Sequence, residues 1–453
     1  MQKHPDATAE LVSLDLGDKR RDSRIRRVVA ALQENPAAHF PAVMRTVAER
    51  EALYRALNSE HVSLHSLLAP HIGQTVERMA QHAERPIVII DKTSFVFGGE
   101  AERDGLERIS PRKQGFDAFV ALAVSSSRHP HGVLAVSPTE VMGASAAARW
   151  HETVELAAAG PEQRRIHPIY VMDREADAYE LFGDLAAQGR DFVIRVSFDR
   201  LVREHGSTRL EALNDVVRDT DFTYATSVRL SRRPSTGRSS SARKKHPSRT
   251  TRDAVLKVRA CPIVMPKPKA PARRGPCELA LHLVQVVEPN PPEGCEPVQW
   301  LLATTLPIGD ARSVEAIVDV YRARWTIEEY FKALKTGCSY EKRQLESLHA
   351  LLNALGLLVP LAWRLLALRC LADEDPNAPA GDVLDSDGLH VLRKLSGDVK
   401  LGTSPTAAEV VLALAGLGGH FPQNGRPGWL VVWRGLQKVL DRLEGYRLAK
   451  AEM

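Results

Sequence analysis

Residues 168–196 read PIYVMDREADAYELFGDLAAQGRDFVIRV, and this stretch decides the fold class. Ile169-Tyr170-Val171-Met172 is a short apolar run ended by Asp173, and Phe192-Val193-Ile194-Arg195-Val196 is a second strand-like run after a helical stretch that reaches about Gln188. Uninterrupted apolar runs of this length suit strands buried on both faces, as in a parallel sheet. Strand, helix and strand over so short a span form a right-handed crossover unit, so the sheet is at least partly parallel and the chain is α/β.

Upstream, Arg85-Pro86 introduces Ile87-Val88-Ile89-Ile90, a β-branched run read as a buried strand that ends at Asp91. Phe116–Val124 and Val133–Val136 are further strands joined by a hairpin connection, in which His129 and His131 are turn residues rather than metal ligands. Residues 8–82 read as helices, with Ile25, Val28, Val29 and Leu32, then Val47, Leu53, Tyr54 and Leu57, at helical spacing. Downstream, residues 200–305 hold strand-like pieces (Phe222–Leu230, Ala254–Val264, Glu278–Val287, Val298–Thr304) broken by Pro266-Lys267-Pro268 and Pro289-Asn290-Pro291-Pro292, which predicts a β-rich insertion. From Ala311 the pattern is helical through Leu371, and after a loose segment (Asp373–Asp387) it is helical again to the end.

At 453 residues and 44% apolar composition the chain has material for about two to four domains and for large cores, which excludes a disordered tail or a mini-protein. Apolar runs such as Ala354–Trp363 are shorter than the ~20 residues of a membrane span, and the first residues lack an apolar signal core, so a cytoplasmic protein without a membrane partner is expected. The five cysteines contain no C-x-x-C pair, so they are read as buried or incidental thiols rather than disulfide or zinc ligands. The net charge of +5 is modest, but its basic residues cluster at Lys19–Arg27 and Arg232–Arg249. Two such clusters favour a polyanion, DNA or RNA, because each neutralised phosphate releases a counterion.

The stretch 317–335, taken as one helix, sets Tyr321, Arg324, Glu328, Lys332 and Lys335 in a stripe of about 80°, beside an apolar stripe of Val320, Ile327, Phe331 and Leu334. A solvated face with a Glu328–Lys332 pair gives the same pattern. Asp91 and Asp173 both fall where an apolar strand ends, the position at which open α/β sheets hold ligands, although a cap or turn is the plainer reading of either alone. Three carboxylates from two strand ends and one helix can hold a pair of Mg²⁺ ions for in-line phosphoryl transfer, with Arg and Lys on the phosphate oxygens.

These segments carry a family likeness. VIIDKTSF around Asp91, VMDREAD around Asp173 and VYRARWTIEEYFKALKTGC around Glu328 resemble the three catalytic segments of bacterial DDE transposases of the insertion-sequence-four family. The third holds that family's Y-x2-R-x3-E-x6-K signature as Tyr321, Arg324, Glu328 and Lys335. LGDKRRDSR near the start resembles its end-binding helix, NPPEG with VQWLLATT the last part of its β insertion, and LGGHF with GWLVVWRGLQKVLDRLEGY its helical tail. One departure is Phe119, where the family often has a His.

The resemblance implies a ribonuclease-H-like α/β catalytic core at 83–371 with a β-rich insertion at about 200–305. A helical DNA-binding domain at 1–82 and a helical dimerisation domain at 372–453 flank it. It implies an enzyme of DNA transposition that binds transposon ends, cleaves, and transfers 3′-hydroxyl ends to target DNA with two Mg²⁺ ions, Mn²⁺ being able to substitute. The metal ligands would be Asp91, Asp173 and Glu328, and the partners double-stranded DNA and a second copy of the chain. Tyr321, Arg324, Lys332, Lys335, Arg195, Arg20, Arg21 and Arg24 would contact DNA; Trp300 would receive a flipped base, and Trp325 would offer a second stacking surface. A nuclease of the same fold without strand transfer, or a DNA-binding relative without activity, are the alternatives. In the terminal helix Leu430, Trp433, Leu436, Val439, Leu440 and Leu443 recur at helical spacing, and two tryptophans are more than a small tail easily buries alone; burial against the chain's own core and burial against a partner subunit are both open on this pattern, and the resemblance implies the partner.

Overall fold

The computed structural model describes residues 6–44, 46–139, 146–204, 206–230, 250–269, 275–397, 401–421, 423 and 425–452; the basic segment Arg232–Arg249 lies outside them. The chain divides into two compact units, Met1–Ile166 with Trp325–Met453, and His167–Arg324.

In the first unit, helices Lys19–Glu34, Val47–Leu57 and Leu64–Gln81 begin at local caps: Asp18 accepts from the Arg20 N–H, Thr46 and Glu49 form a reciprocal capping box, and Ser63 and Ser66 form another. Ile25, Val28, Val29 and Leu32 make the buried stripe of the first helix, as the spacing predicts. Its basic cluster is divided in role. Arg26 donates to the carbonyls of Leu11 and Leu14, and Arg21 to that of Leu16, so these two fasten the preceding loop while Lys19, Arg20 and Arg27 stay exposed.

Strands β1 (Ile87–Gly98), β2 (Glu107–Ser110), β3 (Lys113–Val124) and β4 (Pro130–Thr139) form antiparallel pairs around β3. The strand that carries Asp91 does not end there but continues to Gly98. Its first four residues are buried on both faces, whereas from Asp91 burial alternates, with Phe95 and Phe97 turned to the core and edge-on to Tyr340. The uninterrupted apolar run marks only the doubly buried half of the strand. The histidines also differ from expectation. The hairpin turn is Ser125–His129, with Arg128 at φ 72°, and His131 lies within β4; both histidines are buried.

Helix Leu348–Glu374 corrects the reading that no apolar stretch is long enough for a membrane: by length and composition it would be. Here 89% of its apolar window is buried, as in a core helix. Asn353 on this helix donates to the Leu57 and Val62 carbonyls, and Trp363 to that of Pro130, which ties the N-terminal helices and β4 to it. Helices Ser386–Leu395, Ala407–Leu417 and Trp429–Ala451 follow. Trp429 and Trp433 stack 5.8 Å apart and are buried, with Leu436, Val439 and Leu443, within their own chain. Their apolar surface therefore gives no argument for a partner subunit, because it is covered within the chain, the Trp429 ring lying against Gly337. The cysteines are free thiols, as expected.

The second unit begins with β5 (Ile169–Met172), helix Tyr179–Ala187 and β6 (Asp191–Arg195), and β5 and β6 are parallel, as the opening stretch predicts. β7 (Leu201–Glu204), β8 (Glu211–Ala212), β9 (Tyr224–Leu230), β10 (Arg252–Pro266), β11 (Glu278–Val287) and β12 (Gln299–Thr304) complete the order β5-β6-β12-β11-β10-β7-β8, with β9 beside β10. Because β12 pairs antiparallel with β6, the β-rich stretch extends the β5–β6 sheet rather than standing apart from it. Helix Ala311–Ala323, begun by an Asp310–Ser313 capping box, closes the unit and buries Val314, Ile317, Val318 and Tyr321.

Candidate functional site

The stretch 317–335 is not one helix. Helix Ala311–Ala323 ends with Arg324 as its C-cap, a second helix runs Trp325–Lys332, and Ala333–Gly337 is a π-helical turn closed by the Cys338 N–H on the Ala333 carbonyl at 2.8 Å. The expected stripe is thus divided, with Tyr321 and Arg324 in the second unit and Glu328, Lys332 and Lys335 in the first. Gly337 explains part of the local geometry: a Cβ there would lie 2.9 Å from Leu365 and 3.0 Å from the Trp429 ring. Single π turns inside helices recur at functional sites.

In the first unit Asp91 is half-buried at the change in burial pattern of β1, and its Oδ1 accepts from the Lys92 N–H at 2.8 Å. Glu328 is half-buried on a helix that packs against β1. The Lys335 ammonium donates to the Ser94 carbonyl at 2.6 Å and stands 3.8 Å from Glu341. Burial pulls its pKa down, opposed by Glu341. Lys332 and Trp325 are exposed. Phe119 is buried edge-on to Trp150 at 4.9 Å, so the place where the resembled family often has a His is apolar here. Arg20 is exposed and Arg21 and Arg24 half-buried on helix Lys19–Glu34.

In the second unit Asp173 follows β5 directly and caps the 3₁₀ turn Arg174–Ala176, accepting from the Glu175 N–H at 2.8 Å. Tyr321 is the centre of a group. Its hydroxyl accepts from Arg195, Arg324 and Asp173 act on it electrostatically, and burial raises its pKa. The Trp300 ring lies 5.5 Å away at 61°, and Arg195 also donates to the Gln299 carbonyl at 3.0 Å. Asp173, Arg195, Trp300, Tyr321 and Arg324 are therefore brought together. Sequence reasoning missed two acids. Asp177, buried, accepts from the Ser197 and Phe198 N–H groups, and Glu341 accepts from the Val96 N–H at 3.0 Å. The signal for Asp177 was its place in DREAD; Glu341 had none.

Among the described residues, no three His, Cys, Asp or Glu side chains form a group that could hold a metal. The donors offered by Asp91, Glu328 and Asp173 are carboxylate oxygens alone, which fit a hard cation such as Mg²⁺ and not a thiolate-seeking metal.

Half-buried acids beside cations and a tryptophan suit the phosphate-handling class of α/β proteins. The chain belongs to the transposase DDE domain family, whose model matches residues 82–363. A transposase DNA-binding model matches residues 5–62. DDE transposase domains generally use divalent metals. Among solved structures, a chain from the piggyBac transposase synaptic complex with hairpin DNA is similar at 11% identity with a TM-score of 0.31, over 84% of this chain and 57% of that one. The match spans little more than half the length of that chain.

Proposed function

We propose that this protein is a DNA transposase, which binds the ends of a mobile element, cuts the DNA there and transfers the 3′-hydroxyl ends to target DNA. The observation that carries the reading is the DDE-family match over residues 82–363, a span that includes Asp91 on β1, Asp173 just after β5 and Glu328 on helix Trp325–Lys332, which we take as the three acids. These acids would hold two Mg²⁺ ions, or Mn²⁺ in their place, within a ribonuclease-H-like core at 83–371 flanked by an end-binding region at 1–82 and a tail at 372–453. Held there, the ions would supply Lewis acidity for a water or 3′-hydroxyl nucleophile and for the leaving oxygen.

The protein's own groups do the rest. Lys332, exposed beside Glu328, and Arg195 and Arg324 around Tyr321 would hold nonbridging phosphate oxygens. Trp300, packed at an angle on Tyr321, would take an extruded base against its ring, with the exposed Trp325 as a second stacking surface. Lys19, Arg20 and Arg27 present the exposed charge of the first helix to the DNA backbone. Cutting both ends together calls for two copies of the chain, and the helical tail at 372–453 would pair them through residues other than its buried tryptophans, such as the exposed Leu448.

Purified protein, a duplex carrying the element's end, a target plasmid and Mg²⁺ test the proposal. Binding, cleavage and joining are expected from the wild type, and binding alone from Asp91→Ala, Asp173→Ala and Glu328→Ala. Cleavage without joining by the wild type would replace the transposase reading with a nuclease. Undiminished cleavage in any one variant would remove that residue from the site.

A further inference from the structure

Glu341 belongs to no motif, yet it closes a brace between the two elements that carry Asp91 and Glu328. Two backbone groups of β1 take side-chain partners there: the Ser94 carbonyl accepts from Lys335 at 2.6 Å, and the Val96 N–H donates to Glu341 at 3.0 Å. The two side chains face each other at 3.8 Å, and the Lys335 ammonium also lies 5.3 Å over the Phe95 ring. One end of the brace is thus the strand of Asp91, and the other the π turn that directly continues the helix of Glu328.

The brace is rigid because its base is. Glu341 sits in the 3₁₀ turn Tyr340–Lys342, entered through Ser339 at φ 49°. Within that turn Tyr340 is fully buried, edge-on to Phe95 at 4.8 Å and to Phe97 at 5.4 Å, and its hydroxyl donates to the Leu351 carbonyl at 2.8 Å. Ser94 is about 10 Å along the strand from Asp91, and Lys335 about 10 Å along its helix from Glu328. The two arms are of equal length, so sliding at the brace passes almost undiminished to the carboxylates, which metal binding requires to be held within about 0.5 Å.

We infer that Glu341 is a positioning residue that, through Lys335, fixes β1 against the Glu328 helix in the register in which Asp91 and Glu328 bind a divalent ion. The inference rests on the proposed metal role of those two acids. It also gives the signature lysine a partner inside the fold before any DNA is present.

The test uses the full-length protein and three readouts: hydrogen exchange of the Val96 amide, Mn²⁺ binding followed by electron paramagnetic resonance without DNA, and cleavage against Mg²⁺ concentration. Glu341→Ala should speed exchange at Val96 and weaken Mn²⁺ binding about tenfold or more, as loss of a group that orients a metal ligand does. It should raise the Mg²⁺ midpoint by a similar factor and leave end binding unchanged. Glu341→Gln keeps an acceptor for the Val96 N–H and should recover the exchange protection and most of the metal affinity. Wild-type Mn²⁺ affinity in Glu341→Ala, with affinity lost in Asp91→Ala, would overturn the inference alone. Wild-type affinity in Asp91→Ala would overturn the metal reading and the inference with it.

Discussion

Two acids four residues apart, Asp173 and Asp177, should answer the same substitution in opposite ways. Asp173 is half-buried and accepts one backbone bond, from Glu175, at the start of a three-residue 3₁₀ turn. Its replacement by Ala removes an N-cap bond worth about 1 kcal/mol, and the released N–H is near enough to solvent to find water. Asp177 is buried. Its Oδ2 accepts from the N–H groups of Ser197 at 2.7 Å and Phe198 at 3.0 Å, and its Oδ1 pairs with Arg200, whose guanidinium also lies against the Phe182 and Phe198 rings. Asp177→Ala leaves two inward N–H groups without an acceptor and a shielded guanidinium without its carboxylate. Breaking one partner of such a pair costs about 3–5 kcal/mol. At roughly 2–4 °C per kcal/mol for a unit of this size, that is a fall in Tm on the order of 10 °C. Calorimetry and urea unfolding of both variants, run beside end cleavage, would separate the roles: Asp173→Ala should unfold close to the wild type and not cut, while Asp177→Ala should unfold early. Equal stability of the two variants, or a loss above about 3 kcal/mol in Asp173→Ala, would refute this division of labour.

Further outcomes follow from single contacts. Burial, and then the neighbouring His82, His129 and Arg78, push the His131 pKa down to about 3. The unfolded chain takes up this proton near pH 6.5 and the folded protein only near 3. The contribution is therefore complete above about 6.5 and is lost at about 1.4 kcal/mol per pH unit as the pH falls between those values. His131→Leu should flatten that part of the pH dependence of urea midpoints, and an unchanged slope would count against a buried neutral imidazole. Gly435→Ala gains about 1 kcal/mol of helix propensity, yet its Cβ would stand 1.7 Å from the Leu414 carbonyl oxygen. The helices must separate, for a net loss of about 1–3 kcal/mol, and the near-ultraviolet circular dichroism of the stacked Trp429 and Trp433 should weaken with it. For DNA binding, Lys332→Ala and Arg20→Ala should each reduce the slope of log affinity against log salt by about 0.9. Arg26→Ala should lower stability and leave the slope alone, because its guanidinium is engaged by the Leu11 and Leu14 carbonyls.

What the sequence determined by itself was local. The β5–helix–β6 crossover was legible because strands covered on both faces leave uninterrupted apolar runs, and the buried stripe Ile25, Val28, Val29 and Leu32 because a helix returns to one face every three or four residues. The acids and the signature spacing were legible for the same reason: chemistry that needs particular side chains leaves them in the string. Tertiary structure decided which of those side chains meet. Asp91 lies in the middle of a strand because Phe95 and Phe97 find Tyr340, and the two tail tryptophans need no second chain because the unit's own helices cover them. The helix read through 317–335 stops at Ala323 and resumes at Trp325, the point where the chain passes from one compact unit to the other, which no periodicity records. Glu341 meets Val96 from 245 residues away. A contact at such separation is specified by the packing of every element between, and so leaves no spacing in the sequence from which it could be read.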